Sequence, residues 1–255
     1  MALYFLQRGL TWPKRLFGSW HRPAATLAAL VISTGSSSQL SAREGLPLTI
    51  DNLMIDTRHL DAELSFSQLN FAGLSGHSLM MRSQWGARPD LNLTASYGSS
   101  RWQDLPSAEI RHSGIDVSWQ LAREGRLPAV LLSAGATHIN GAVKQWKMGL
   151  GATVWRSIDP VVLSLTLAGF EHIGDQTQAS PRGWEIAPRI NFAVNPEITL
   201  VSGWRYRSGN QSRQSASWGL AWALAPDLQL FVEHELGSGV WGDSRFDLKF
   251  RYRLR

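Results

Sequence analysis

Four histidines of this chain invite a chemical reading, three of them through their neighbours. His112 precedes Ser113, His172 follows Glu171, His234 sits between Glu233 and Glu235, and His138 stands apart. A serine activated by a histidine, with an acid or amide to orient the ring, is the machinery of ester hydrolysis. The spacing works against that machinery. These histidines lie in stretches that alternate apolar and polar residues, and adjacent residues of a strand point to opposite faces. Glu233 is therefore badly placed to orient His234, and His112 to activate Ser113. Partners on neighbouring strands remain open. The histidines are too scattered for a metal site, there is no cysteine to complete one, and glycine-rich phosphate loops are missing. The expectation is a non-enzyme with no catalytic residue, no metal and no cofactor.

The charged residues carry a second chemistry, visible first at the C-terminus. In Phe246-Asp-Leu-Lys-Phe-Arg-Tyr-Arg-Leu-Arg255 every second residue is apolar, and those between are Asp247, Lys249, Arg251, Arg253 and Arg255. One face is oily and the other ionic, as in a strand with lipid on one side and a wet lumen on the other. Read in phase along the chain, the same rule sends Asp61, Glu63, Arg82, Arg88, Asp116, Lys147, Glu185, Arg189, Arg205, Arg207, Glu233, Glu235, Asp247, Lys249, Arg251 and Arg253 to the lumen. A packed soluble core cannot hold so many charges without dense pairing. Two uses are open: charge pairs that stabilise a narrow barrel, or a polar path whose basic side, around Arg205, Arg207 and the last strand, favours anions.

These side chains need about twelve strands to hold them. Alternating segments fall at residues 60–70, 79–88, 91–98, 110–122, 129–139, 144–156, 161–173, 184–194, 198–207, 214–224, 228–236 and 245–255. The stretch 129–139 alternates weakly, and Pro188 removes one ladder donor from its strand. The connections alternate in length. Short ones carry proline, mostly beside an acid: Arg88-Pro-Asp90, Ser157-Ile-Asp-Pro160, Asn195-Pro-Glu197 and Ala225-Pro-Asp227, with a looser Arg123–Pro128. Proline presets φ for the turn and the acid accepts from nearby backbone donors. Between them lie mostly longer polar connections, such as Gly98–Ala108 and Gly174–Gly183; Asn140-Gly141, a tight hairpin signal, is the exception. Short turns on one side and long loops on the other describe an outer-membrane barrel. The expected fold is all-β: a closed up-and-down antiparallel transmembrane β-barrel of about 12 strands. Ten of the 12 tryptophans follow residue 42, and Trp85, Trp146, Trp184, Trp204, Trp218 and Trp222 fall in the apolar phase, as aromatic girdles require.

The first 42 residues read as an export signal. Arg8, Lys14, Arg15 and Arg22 form a basic region without acids, and Pro23–Gly35 is an apolar run followed by small residues. Residues 43–59 then form a periplasmic lead-in or plug, and residues 60–255 the barrel. The leader holds 4 of the 25 basic side chains and none of the 20 acids, so the remainder carries 21 − 20 = +1. The basic balance thus gives no support to nucleic-acid binding.

Gly219-Leu-Ala-Trp-Ala-Leu-Ala-Pro-Asp-Leu-Gln-Leu230 resembles a strand pair of bacterial outer-membrane barrels, and Asn191-Phe-Ala-Val-Asn-Pro-Glu-Ile-Thr-Leu200 repeats the device. With twelve strands, residues 60–255 resemble the meta-pathway phenol-degradation type of outer-membrane transporter, a group similar to the pseudomonad amyloid-secretion barrel. The resemblance implies a Gram-negative outer membrane, with lipid and lipopolysaccharide outside and barrel-insertion machinery for assembly. It further implies passive passage of small solutes or of a secreted polypeptide. A structural or adhesive barrel with a closed lumen is the alternative, and a lipid hydrolase a remoter one. One departure is the end of the chain, where Arg255 replaces the terminal aromatic usual in such barrels.

Overall fold

A computed structural model describes residues 59–71, 74–103, 109–141, 144–174, 182–208, 212–237 and 243–254. Residues 1–42, expected as an export signal, and all of the expected lead-in but His59 lie outside the described residues, as does part of the connection after Asn140-Gly141. Twelve strands follow one another: β1 (Leu60–Phe71), β2 (Leu74–Arg88), β3 (Leu91–Trp102), β4 (Glu109–Ala122), β5 (Ala129–Asn140), β6 (Lys144–Ile158), β7 (Val161–Gly174), β8 (Arg182–Ala193), β9 (Ile198–Arg207), β10 (Arg213–Ala225), β11 (Leu228–Gly237) and β12 (Ser244–Leu254). Each pairs antiparallel with its chain neighbours, and β12 pairs with β1 from Leu60↔Leu254 to Asn70↔Ser244. The sheet is therefore a closed barrel, with no open edge along its wall.

Alternation does what its period demands. On β1, Asp61, Ser65 and Ser67 are buried inside the barrel, while Leu64 and Phe66 are exposed outside. The same split holds for the exposed outer residues Ile115 and Val117 on β4 and Phe250 and Tyr252 on β12. Two strands outrun their apolar pattern. β2 begins at Leu74 and β3 continues to Trp102, joined through Gly76↔Trp102. Residues 74–78 and 99–102 are mostly polar, glycine or histidine, so their strand character comes from the neighbouring ladder.

Four of the five short turns share one device. The residue just before the next strand offers its carbonyl to an N–H of the adjacent hairpin: Asp90 to Gln120, Pro160 to Ala193, Glu197 to Ala223 and Asp227 to Arg253, all at 2.8–2.9 Å. Asn195 Oδ1 accepts from the N–H groups of Glu197 and Ile198, an Asx turn of the kind its Asn-Pro-Glu sequence suggests. Three β-bulges, at Gly86/Arg88, Gln120/Ala122 and Ala223/Ala225, all sit at this end. The β8–β9 ladder skips Ala187 and Pro188 and resumes in the same register, as a missing proline donor requires.

Candidate functional site: the barrel lumen

Inward positions near the middle and far end of the strands are ionic. Arg189 on β8 pairs with Glu233 on β11, and Arg205 on β9 reaches Glu235 on β11 at 3.2 Å. These strands are not neighbours, so the bonds cross the interior and fix the side chains as lumenal. Arg205 also meets Glu185 at 3.3 Å, and Arg207 lies 2.7 Å from the same carboxylate. Ser215 donates to Glu235 and Arg245 to Asp247. Around the β12–β1 seam, Arg251 binds Glu63 at 3.2 Å and Arg253 binds Asp61 at 3.0 Å. Arg207 stands 5.1 Å from the Phe170 ring centroid, a cation–π contact over the intervening strand β8. A cavity of about 300 Å³ lies among Thr153, Thr166, Arg189, Arg205, Glu233 and Lys249. A second, of about 240 Å³, is lined by Asp116, Thr137, Lys147, Gly149, Phe170 and Arg207.

Near the short turns the lumen changes character. Leu131, Trp155, Val162, Val201, Ala221 and Phe231 all occupy inward positions and are buried, at 1–8% exposure. Ala129, Leu131, Trp155 and Val162 form one apolar cluster. The rest of the layer is polar: Asp61, Gln84, Asn92, Ser118, Asn191, Thr199 and Arg251 are buried there too. Arg251 sits 5.7 Å from the Phe231 ring centroid, joining the two halves. Asn92 and Asn191 are almost wholly enclosed, and their side-chain amides have no hydrogen-bond partner in the protein. The layer is a constriction with an apolar side, where the sequence predicts a polar lumen throughout. Trp155 is the residue that sequence reasoning passes over. It is adjacent to outward Val154, so strict counting in twos sends it inward.

Of the residues expected in the lumen, Arg82, Asp116, Glu185, Arg189, Arg205, Arg207, Glu233, Glu235, Asp247, Lys249, Arg251 and Arg253 occupy inward register positions. Arg88 does not. The Gly86/Arg88 bulge puts it opposite outward Leu91, where its side chain is 70% exposed and lies 3.6 Å from Asp90. An inserted residue reverses the faces beyond it, and local sequence gives no sign of the insertion.

The histidines separate by face. His138 and His234 point outward against Trp146 and Trp218, at 4.9 and 5.0 Å between ring centroids. His172 is inward, beside Phe170 at 5.9 Å. His112 Nε2 lies 3.2 Å from Ser100 Oγ on β3, a cross-strand Ser–His contact. Among the described residues no carboxylate hydrogen-bonds to His112, so the third member of a hydrolase triad is not assembled around it. Glu233, flanking His234 in sequence, is occupied with Arg189 on the opposite face.

The outer surface is apolar and aromatic. Leu150 is 70% exposed and Ile115 66%, both near mid-strand. Trp85, Trp119, Trp222 and Tyr252 line the short-turn end. Trp146, Trp184, Trp204 and Tyr206 line the other, with Tyr206 packed 5.1 Å from Trp184 and 6.3 Å from Trp204. Two aromatic rings bounding an aliphatic band match the girdles of membrane barrels.

No family model matches the chain, and no curated protein matches it in sequence. Solved structures do match in fold. An outer membrane channel from Pseudomonas putida F1 is 12% identical, with a TM-score of 0.58 over 80% of this chain and 98% of that one. The NanC porin is 10% identical, with a TM-score of 0.57 over 76% of this chain and 100% of its own. The KdgM porin is 11% identical, with a TM-score of 0.54 over 76% and 99%. At these identities the likeness establishes the architecture, a twelve-stranded barrel of the outer-membrane kind.

Proposed function

We propose that this chain is an outer-membrane pore through which small, charged solutes pass passively. The observation that carries the reading is the opposition of the two faces. The same strands expose large apolar side chains outside, and inside hold ion pairs that bridge non-adjacent strands around open cavities. Lipid is the medium that favours the first, and an aqueous path the second. Lipid and lipopolysaccharide are then its surroundings, insertion machinery its assembly partner and residues 1–42 its export signal. The buried side chains that pack around Trp155 favour small solutes over protein export in the meta-pathway-like resemblance.

That layer also favours a second reading, a structural barrel whose lumen is shut. Planar-bilayer recording separates the two. The pore reading expects discrete ionic steps from the purified protein, and larger steps after Trp155→Ala, which removes the bulkiest apolar side chain of the constriction. Silence from the native protein with steps from Trp155→Ala assigns a closed barrel sealed at that layer. Silence from both refutes the pore.

A further inference from the structure

The lumenal charges divide into those that neutralise one another and those that do not. Asp61, Glu63, Glu185, Glu233, Glu235 and Asp247 each hold an arginine within 4.0 Å. Asp116 is the exception among the inward carboxylates of the described residues. The cations whose fields reach it, Arg82 and Lys147, stand beyond ion-pair distance. Lys147 likewise has no carboxylate within that distance among the described residues; its ammonium faces the Phe170 ring, 5.6 Å from the centroid. Both charges line the same cavity of about 240 Å³. Arg207, the other cation there, is bonded twice to Glu185.

The register shows what lies between the two charges. Asp116 is opposite Gly135, Gly135 is opposite Gly149, and Lys147 is two residues before Gly149 on β6. Asp116 and Lys147 thus rise from strands about 10 Å apart, with a floor of glycine between them. The two glycines serve that floor differently. A Cβ on Gly135 would strike the Asp116 carboxylate, so that group lies flat over the backbone. A Cβ on Gly149 would meet nothing closer than the Gly169 carbonyl at 3.5 Å, so the space above it is free. Unneutralised charges in a recessed, partly dry site are costly, and a ligand that satisfies both at once recovers that cost.

We propose that this cavity is a binding station for a small zwitterion, an amino acid or dipeptide. Its ammonium faces Asp116, its carboxylate faces Lys147, and its body crosses Gly149. A simple anion would meet Lys147 but also the Asp116 charge, and a simple cation the reverse. The inference rests on the lumen being open to solutes from the end away from the packed layer.

The test is calorimetric titration of the purified, detergent-folded full chain with glycylglycine, N-acetylglycine and glycinamide, with heat-modifiable gel migration confirming that each variant is folded. Glycylglycine is expected to bind at least tenfold more tightly than either singly charged analogue. Asp116→Asn should abolish its advantage over N-acetylglycine, and Lys147→Gln its advantage over glycinamide. Gly149→Leu should fill the site and remove binding. N-acetylglycine binding as tightly as glycylglycine, with no response to Asp116→Asn, overturns the proposal, as does no binding by any probe. Because binding is read at equilibrium, its failure is distinguishable from a failure to conduct. A silent barrel that binds glycylglycine sinks only the pore, and a conducting barrel that binds none of the probes sinks only the station.

Discussion

Replacing Leu150 with arginine tests the premise on which the lumen reading depends, that the apolar face looks into lipid. Leu150 lies in the middle of β6, the 15-residue strand Lys144–Ile158, and is 70% exposed on the outside of the barrel. Its register partners are Ala134 and Gly169, both small, so the substitution meets little steric resistance. In water an exposed Leu→Arg change would be worth within about 0.5 kcal/mol either way. At the midplane of a bilayer the same change costs about 2–4 kcal/mol, falling to about 0–1 near the interfaces. Since about 1.4 kcal/mol is a factor of ten, the folding equilibrium should shift roughly 30- to 700-fold. The assay is reversible urea unfolding in lipid vesicles, followed by tryptophan fluorescence and by heat-modifiable migration. Leu254→Arg, at the short-turn rim of β12 and 43% exposed, supplies the interfacial control. A neutral or stabilising Leu150→Arg, or equal losses at both positions, would refute the lipid-facing assignment.

Two further predictions concern the ionic interior. Arg251 and Glu63 are 6% and 11% exposed and lie within the packed layer, so Arg251→Gln should destabilise the barrel by about 3–5 kcal/mol in the same unfolding assay. Replacing both partners with apolar residues should cost less than either single change, because no unpaired charge is left behind. A double-mutant cycle on Arg189→Gln and Glu233→Gln should give a coupling of about 0.5–3 kcal/mol, since the pair ties β8 to β11 at 21% and 17% exposure. Additive losses would show that the two side chains do not hold the strands together.

Much of this fold is written locally. A strand has a side-chain period of two, so each stretch such as Phe246–Leu254 declares its two faces without reference to any other part of the chain. The recurring proline turns declare where strands end, and their count gives the number of staves. Hence the twelve strands and most lumenal charges are legible from residue order, with β2 and β3 cut short where polar residues 74–78 and 99–102 lose the alternation. Apolar runs such as Ala129-Val-Leu-Leu132 and Val161-Val-Leu163 hide their inward members among outward ones for the same local reason.

Residue order alone sets the ribbon, with its two faces and its hairpin rhythm. Only closure of the sheet decided what the inner face contains. Arg88 left the lumen because a bulge, a relation between two strands, reversed its face. Leu131, Trp155, Val162, Val201 and Phe231 became one layer, and Arg189 met Glu233 from 44 positions away. Asp116 and Lys147 came to share a cavity, with no partner within ion-pair distance among the described residues. Such encounters depend on register and curvature summed over several strands, and no short stretch of residues encodes that sum.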